Sequence, residues 1–546
     1  MKSVFRMIPL LATAVVALSL AVPAFAQDAM KLEAPDCGTT YKGNLKAIEA
    51  VDKYIFKMTL CNPDPAIPSK VAFSAMAIQS GDYLQKTGGT GDLLSAPIGT
   101  GPYMLQKWDK GNEIDFTANP NYWGDAPIEK TAILKWNSEA AARWNELQAG
   151  TVDGIANVGP SDFATIEANP DFKLYPGLST NTFYLGMNNT FPPFDNVKVR
   201  QALEYGIDKQ RIVDNFYPPG SVAADQFMPP SIFGYTADST AINYDLAKAK
   251  QLMADSGVTL PIKVDMSFRD VVRGYLPQPS VIATDIQAQL KELGIEVNIT
   301  PMESGAFLDA AAAGKLPLFM LGWGADYPDA TNFLDYHFGA SSSPSFGKHD
   351  DKLTALLTKA AQLSDPAERL KIYKDANDEI AAFAPMVPVA HGGNAGAFKA
   401  SIKGAYTGAF SAAQFRVMEN PDTDSIIFEQ NAEPISLYCN DESDGETFAA
   451  CEQITDSLLG FELGGGNVVA ALATDWSANA DLTEWTFKLR QGVKFSDGSD
   501  FDSSDVFTTY ATMWDAKNPL HVGRTGATWD YFNTFFGAFL NAPAAS

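Results

Sequence analysis

"PIKVDMSFRDVVRGYLPQPSVIATDIQAQLKELGIEVNITPM", Pro261 to Met302, holds the pattern that decides the fold. "PIKVDMSF" alternates apolar and polar residues as a half-buried strand does, "SVIATDIQAQLKELG" places apolar residues at helical spacing, and "IEVNITPM" alternates again. "GAFLDAAAAG" then reads as a further helix, and "LPLFMLGW" as an apolar strand. Strands that alternate with helices call for a parallel sheet built from strand–helix–strand units. The chain is therefore read as an α/β protein.

The same reading extends outward. "VKVRQALEYGIDKQRIVDNF" and "DLAKAKQLMADSGV" carry helical spacing, the latter stopped by Gly257, and "EAAARWNELQAGTVDG" is a helix ended by Gly150. "NLKAIEAVDKYIFKMTLC" alternates on both sides of "VDKY", a hairpin turning near Asp52. "MENPDTDS" (Met418 to Ser425), rich in Asp and Pro, divides this long block from a shorter one. The shorter block holds the strand-like "IIFEQNAEPISL", the helix "GETFAACEQITDSLLGFE", the strand "WTFKLRQGVKF" and a helix opening at "SSDVFTTYATMW", with Ser503 or Ser504 as its expected cap.

A chain of 546 residues, 46% hydrophobic, needs more than one core, so two or three lobes are expected. The net charge of -25, with no Lys/Arg stripe, argues against a nucleic-acid partner. "MKSVFRMIPLLATAVVALSLAVPAFA" sets Lys2 and Arg6 before an apolar run and ends in Ala24-Phe25-Ala26. It reads as a secretory signal cleaved after Ala26, which places the mature chain in the periplasm. Cys37, Cys61, Cys439 and Cys451 are an even number in an exported chain, which favours two disulfides. Of the three connectivities the sequence-local pairs are preferred, and closing the loop from Cys439 to Cys451 is worth about 3 kcal/mol. A zinc site is disfavoured by the absence of CxxC and the scarcity of histidine.

Signals for chemistry are few. No G-x-S-x-G occurs, and His337, His349, His391 and His521 stand beside no obvious nucleophile. "ELGGGNV" and "GTGPY" lack the residues that complete a phosphate or dinucleotide loop, and both read as turns. "NDESDGETFAACE" imitates a calcium loop but has Cys451 where a bidentate Glu is required. No cofactor is expected. Two clusters remain, "FRDVVRGYLPQP" with Arg269 and Arg273 just after a strand, and "GWGADYPDATNF" with Trp323 and Asp326 just past another. Ligands collect at the carboxyl ends of strands in open α/β sheets. An Arg there can clamp a carboxylate and an Asp can receive an ammonium group, so the two could read a zwitterion. On pattern alone, a surface Arg and a turn-stabilising Asp are the favoured reading.

"GTGPY", "NPNYWG", "LQAGTVDG", "PPFDNVKVRQALEYGID", "GWGADYPD", "EPISL" and "WTFKLRQGVKFSDG" are spread along nearly the whole chain. Jointly they resemble the family 5 extracytoplasmic solute-binding proteins of ATP-binding-cassette importers, the peptide- and nickel-binding class. The resemblance implies the two-lobed periplasmic-binding-protein fold with a third smaller lobe. It also implies a monomer without enzymatic activity, which captures dipeptides or short peptides between closing lobes and delivers them to a membrane permease. In dipeptide-binding members an Arg in a motif similar to "RGYLPQP" holds the ligand carboxylate and an Asp in a motif similar to "GWGADYPD" holds its amino group. Those positions here are Arg273 and Asp326. Trp323 and Tyr275 are candidate apolar walls, with core aromatics as the competing reading, and Arg269 is a further candidate for the carboxylate role. Gly274 stands where dipeptide binders often have Pro, which puts the ligand's identity in question. An opine-like compound, a sugar or a metal chelate is the alternative within the family, an extracytoplasmic hydrolase the alternative outside it, and the scarcity of histidine argues against direct nickel coordination.

The order of the segments departs from the family, where "EPISL" and "WTFKLRQGVKFSDG" precede the others. The chain therefore looks like a circular permutation, with new ends in a loop near Ala542 and Lys31. The implied division is a signal at residues 1–26, the smaller lobe from 27–98 and 461–546, large lobe I from 99–190 and 396–460, and large lobe II from 191–395. A sheet whose halves meet only in space is expected to be the least stable part.

Overall fold

A computed structural model describes residues 30–542 except 270, 272, 341 and 527, so the signal reading of residues 1–26 lies outside the described residues. The Pro261 to Met302 stretch folds as its periodicity requires. Strands Ile262–Arg269 and Ile295–Met302 run parallel in register, Arg269 opposite Met302, and helix Pro279–Lys291 makes the crossover between them. Strand Leu318–Gly324 lies on the other side of Ile262–Arg269, again parallel. Leu185, Met266, Ile282, Ile286, Leu290, Leu318 and Met320 are buried together and hold this layer to its helices.

The sheet is mixed rather than wholly parallel. Its spatial order is Val222–Ala223, Met386–His391, Asn181–Met187, Leu318–Gly324, Ile262–Arg269, Ile295–Met302. Asn181–Met187 is antiparallel to both of its neighbours. Asn181–Met187 and Met386–His391 are the strands by which the chain enters and leaves this lobe. They are separated by the whole run between them rather than by the single helical crossover of a strand–helix–strand unit, so nothing imposes parallel pairing on them. Just outside the sheet the two crossing segments are tied together, Gly177 N–H to the Asn394 carbonyl at 2.9 Å and Gly392 N–H to Asn181 Oδ1 at 2.9 Å.

A seven-stranded sheet takes Ser425–Gln430 into its middle, parallel to Thr131–Trp136 and to Gly154–Ile155. The strand expected across "IIFEQNAEPISL" ends at Gln430, and Pro434, which has no N–H to give a ladder, stands in the loop beyond it. A five-stranded antiparallel sheet combines Met30–Glu33, Leu45–Asp52 and Ile55–Leu60 with Glu484–Leu489 and Ala473–Ala478. Its halves join where Ile55–Leu60 pairs with Glu484–Leu489, Phe56 opposite Phe487. The hairpin turns after Asp52 as its alternation indicates.

Three helix readings are corrected. Helix Ser503–Trp514 is capped by Asp502, not by Ser503 or Ser504. The Asp502 carboxylate accepts the Ser504 N–H at 2.8 Å while Asp505 accepts the Asp502 N–H at 2.9 Å, and a carboxylate is the stronger partner at the positive end of a helix. Helix Gly445–Ile454 stops short of "GFE", and Leu459–Phe461 pairs as a strand with Val468–Ala470. "VKVRQALEYGIDKQRIVDNF" is two helices, Val197–Gly206 and Lys209–Phe216, because the Asp208 side chain accepts the Arg211 N–H at 3.0 Å and starts a new one.

Both disulfides are the sequence-local pairs, Cys37–Cys61 and Cys439–Cys451. The residues of the calcium-like loop diverge to separate partners. Asn440 donates to the Ala75 and Ala77 carbonyls, Arg524 holds Glu442, and Asp444 caps helix Gly445–Ile454. Among the described residues no helix is long and apolar enough to cross a membrane.

Candidate functional site

Ile262–Arg269 and Leu318–Gly324 end on the same side of the sheet because they are parallel, and a cleft of about 610 Å³ opens there. Arg269, Arg273, Tyr275, Trp323 and Asp326 all line it. Two other recesses, of about 290 and 130 Å³, contain none of them.

Asp326 lies two residues past the end of its strand. Its Oδ2 accepts from Asn332 Nδ2 at 2.8 Å and its Oδ1 from the Tyr531 hydroxyl at 3.3 Å. No Lys or Arg among the described residues pairs with it. Burial pushes its pKa up, and the two neutral donors only partly offset that. The other acid of the motif, Asp329, is spent on structure, since Arg369 grips it with two bonds of 2.8 and 2.9 Å in the interior. Asp326 is thus the carboxylate of "GWGADYPD" left to face the cleft.

Asn332 organises this end. It sits in the π-helical turn Thr331–Asp335, and its Oδ1 accepts the Asp326 N–H at 2.9 Å and Trp323 Nε1 at 3.3 Å. Trp323 stacks on Tyr336 with ring centroids 4.0 Å apart, and the edge of His337 meets it at 5.3 Å. Tyr336 is 53% exposed, an aromatic face presented to solvent rather than to a core. His337 is buried, with Nδ1 donating to the Phe333 carbonyl at 2.7 Å, and burial pushes its pKa down to about 4. The ring is therefore neutral at physiological pH.

Arg273, which also lines the cleft, is exposed on a turn closed by its backbone bonds with Leu276, at 2.9 and 3.1 Å. The Tyr275 ring lies against Gly322, where a Cβ would stand 2.3 Å from Tyr275 Cδ2, so this packing requires glycine. The Tyr275 hydroxyl accepts from Arg269 Nη2 at 3.0 Å, and Arg269 Nη1 donates to Ser304 Oγ at 3.1 Å. An added Cβ at Gly274 would make only an ordinary contact, 3.8 Å from Asn181 Nδ2, and its φ is not positive, so nothing in its backbone demands glycine. Its carbonyl instead meets the backbone of Gly392, which docks the arginine turn on the crossing segment.

Sequence reasoning missed Asn332, Tyr336 and Tyr531. Asn332 was legible in principle, six residues past Asp326 in the same motif. Tyr531 was not, because it belongs to helix Asp530–Phe536, 205 positions from Asp326.

Parallel strands opening on one cleft, lined by both cationic and acidic side chains, are the arrangement of a binding protein of the α/β class. A family model for bacterial extracellular solute-binding proteins, family 5 middle, matches residues 15–345 and 467–528, and the chain belongs to that family. It is 32% identical over 354 residues to heme-binding protein A of Haemophilus influenzae and 30% identical over 355 residues to di/tripeptide-binding protein 1 of Pseudomonas aeruginosa. Each match covers 64% of this chain, and 64% and 66% of the respective relatives, just under two thirds of their length. Among solved structures it resembles the ABC transporter-associated periplasmic binding protein DppA of Helicobacter pylori in complex with the peptide STSA. That match has a TM-score of 0.56 and 27% identity, and covers 69% of this chain and 74% of that one.

Proposed function

We propose that this protein captures dipeptides or short peptides in the 610 Å³ cleft and delivers them to the permease of an ATP-binding-cassette importer. The observation that carries the reading is Asp326, a carboxylate raised in pKa by burial and held only by neutral donors, in the same cleft as Arg273. A free peptide brings an ammonium group to the first and a carboxylate to the second. Trp323 and Tyr275 then wall the space between. The peptide-binding relative and the peptide-bound neighbour support the same ligand class. No enzymatic activity is assigned.

The protein is read as exported to the periplasm, monomeric and circularly permuted relative to its family. The pairing of Ile55–Leu60 with Glu484–Leu489, which brings strands from residues 30–60 and 473–489 into one sheet, supports the lobe division drawn from the sequence. Rejoining the segments in family order should give a monomer of unchanged peptide affinity; a rejoined chain that folds but binds nothing would count against the permutation.

Calorimetric titration with a free dipeptide and its N-acetylated twin tests the site. The free peptide should bind more tightly, and its advantage should fade as the pH drops. Asp326, with its raised pKa, takes up a proton at a higher pH than an ordinary aspartate and then no longer attracts the ammonium. Asp326→Asn should remove the advantage at every pH. Equal affinity for the two peptides in the unmutated protein defeats the assignment.

A further inference from the structure

Arg269 raises a question that a plain zwitterion does not answer. It is half-buried at the end of its strand, lines the cleft, and its guanidinium is held by the hydroxyls of Tyr275 and Ser304, both neutral. Its Nε is buried without an acceptor, and among the described residues no carboxylate stands within ion-pair distance. The acid beside Ser304, Glu303, has both oxygens engaged in capping helix Ser304–Ala312, accepting from the N–H groups of Gly305 and Ala306 at 2.9 Å each. A cation desolvated without a counter-charge is unfavourable unless an anion arrives. Two hydroxyls fix the planar fork in place, which is the preorganisation that bidentate carboxylate recognition needs.

We propose that Arg269 binds a second carboxylate, so that the preferred ligands are peptides with an acidic side chain. This rests on the peptide reading, in which Arg273 takes the terminal carboxylate and Asp326 the ammonium. Arg269 is then a specificity residue with its own anion, and not a reserve for Arg273. Such a ligand carries two negative groups and one positive, matching the two arginines and one aspartate that line the cleft.

Two isosteric pairs test this by calorimetry, Ala-Glu against Ala-Gln and Glu-Ala against Gln-Ala, which differ only in an acid or an amide. At least one acidic peptide should bind about tenfold more tightly than its amide, as a charge-assisted hydrogen-bonded pair does. Arg269→Gln should abolish the difference in affinity between the acidic peptide and its amide. If all four peptides bind and neither pair differs in the unmutated protein, the Arg269 assignment is overturned and the peptide reading stands. The same holds if the preference survives in Arg269→Gln. If none of the four binds, the peptide reading falls and takes this inference with it. The comparison within the unmutated protein decides the matter even where the variant fails to fold.

Discussion

The six-stranded sheet takes all its strands from one continuous run, Asn181 to His391, whereas the five-stranded sheet joins residues 30–60 to residues 473–489. The first has parallel strands with helical crossovers and carries the arginines and aspartate of the cleft at its strand ends. The second is antiparallel, is stapled by Cys37–Cys61, and among the described residues lends the cleft a single side chain, Tyr531, from the helix that follows its strands. The difference separates two jobs. A lobe that is continuous in sequence can hold charged groups at fixed strand ends, while a lobe closed by distant segments contributes through packing and stays more exposed to local opening.

The largest effect that would sharpen this contrast is on binding. Arg273→Ala should weaken binding of a free dipeptide by about 2 to 5 kcal/mol, since it leaves the ligand carboxylate without its charged partner. Arg273 is itself exposed, and the substitution keeps the backbone bonds to the core residue Leu276 that close its turn, so the fold should survive the change. Unchanged affinity in calorimetry removes Arg273 from the site and with it the claim that this lobe supplies both ends of the recognition.

Next in size is stability. Replacing Cys37 and Cys61 together by Ser opens a loop spanning 24 positions, worth about 3 kcal/mol in the chain-entropy account. Hydrogen exchange should speed up selectively in Leu45–Asp52, Ile55–Leu60 and Glu484–Leu489, with little change in Ile262–Arg269 and Leu318–Gly324. Uniform acceleration across both sheets would mean that they open as one unit, and the contrast drawn here would be lost.

The continuous lobe was also the more legible one. Its strand and helix bounds follow from periodicity within about 40 residues, and the two motifs that mark the cleft lie at adjacent parallel strand ends. What the sequence concealed there was direction. Asn181–Met187 looks like any apolar strand, and its antiparallel pairing depends on its being the strand by which the chain enters this sheet, beside Met386–His391 by which it leaves. In the split lobe the individual strands were readable, but their pairing was not a local property. "WTFKLRQGVKF" alternates well past Leu489, yet the strand ends there and the chain turns through Gly492 at φ +77°. Asp502, Ser503 and Ser504 are equally good caps by type; only the bonds of the Asp502 carboxylate to Ser504 N–H and of the Asp502 N–H to Asp505 decide between them.

The smallest expected effect probes a side chain that crosses from the split lobe to the cleft. Tyr531 donates to Asp326 Oδ1 at 3.3 Å, and its ring packs in a cluster with Phe73, Phe448 and Phe535 that fixes where the hydroxyl points. Tyr531→Phe keeps that packing and removes the donor. The bond favours the ionised form of Asp326, so its loss should raise the aspartate's pKa further and move the acid limb of peptide binding to higher pH. At neutral pH the loss in affinity should be about 1 kcal/mol, the usual worth of one hydrogen bond to a partly buried partner. Calorimetry across a pH series reads both quantities. An unaltered pH profile would show that Asp326 is tuned within its own lobe by Asn332, and that the split lobe serves the cleft only as a wall.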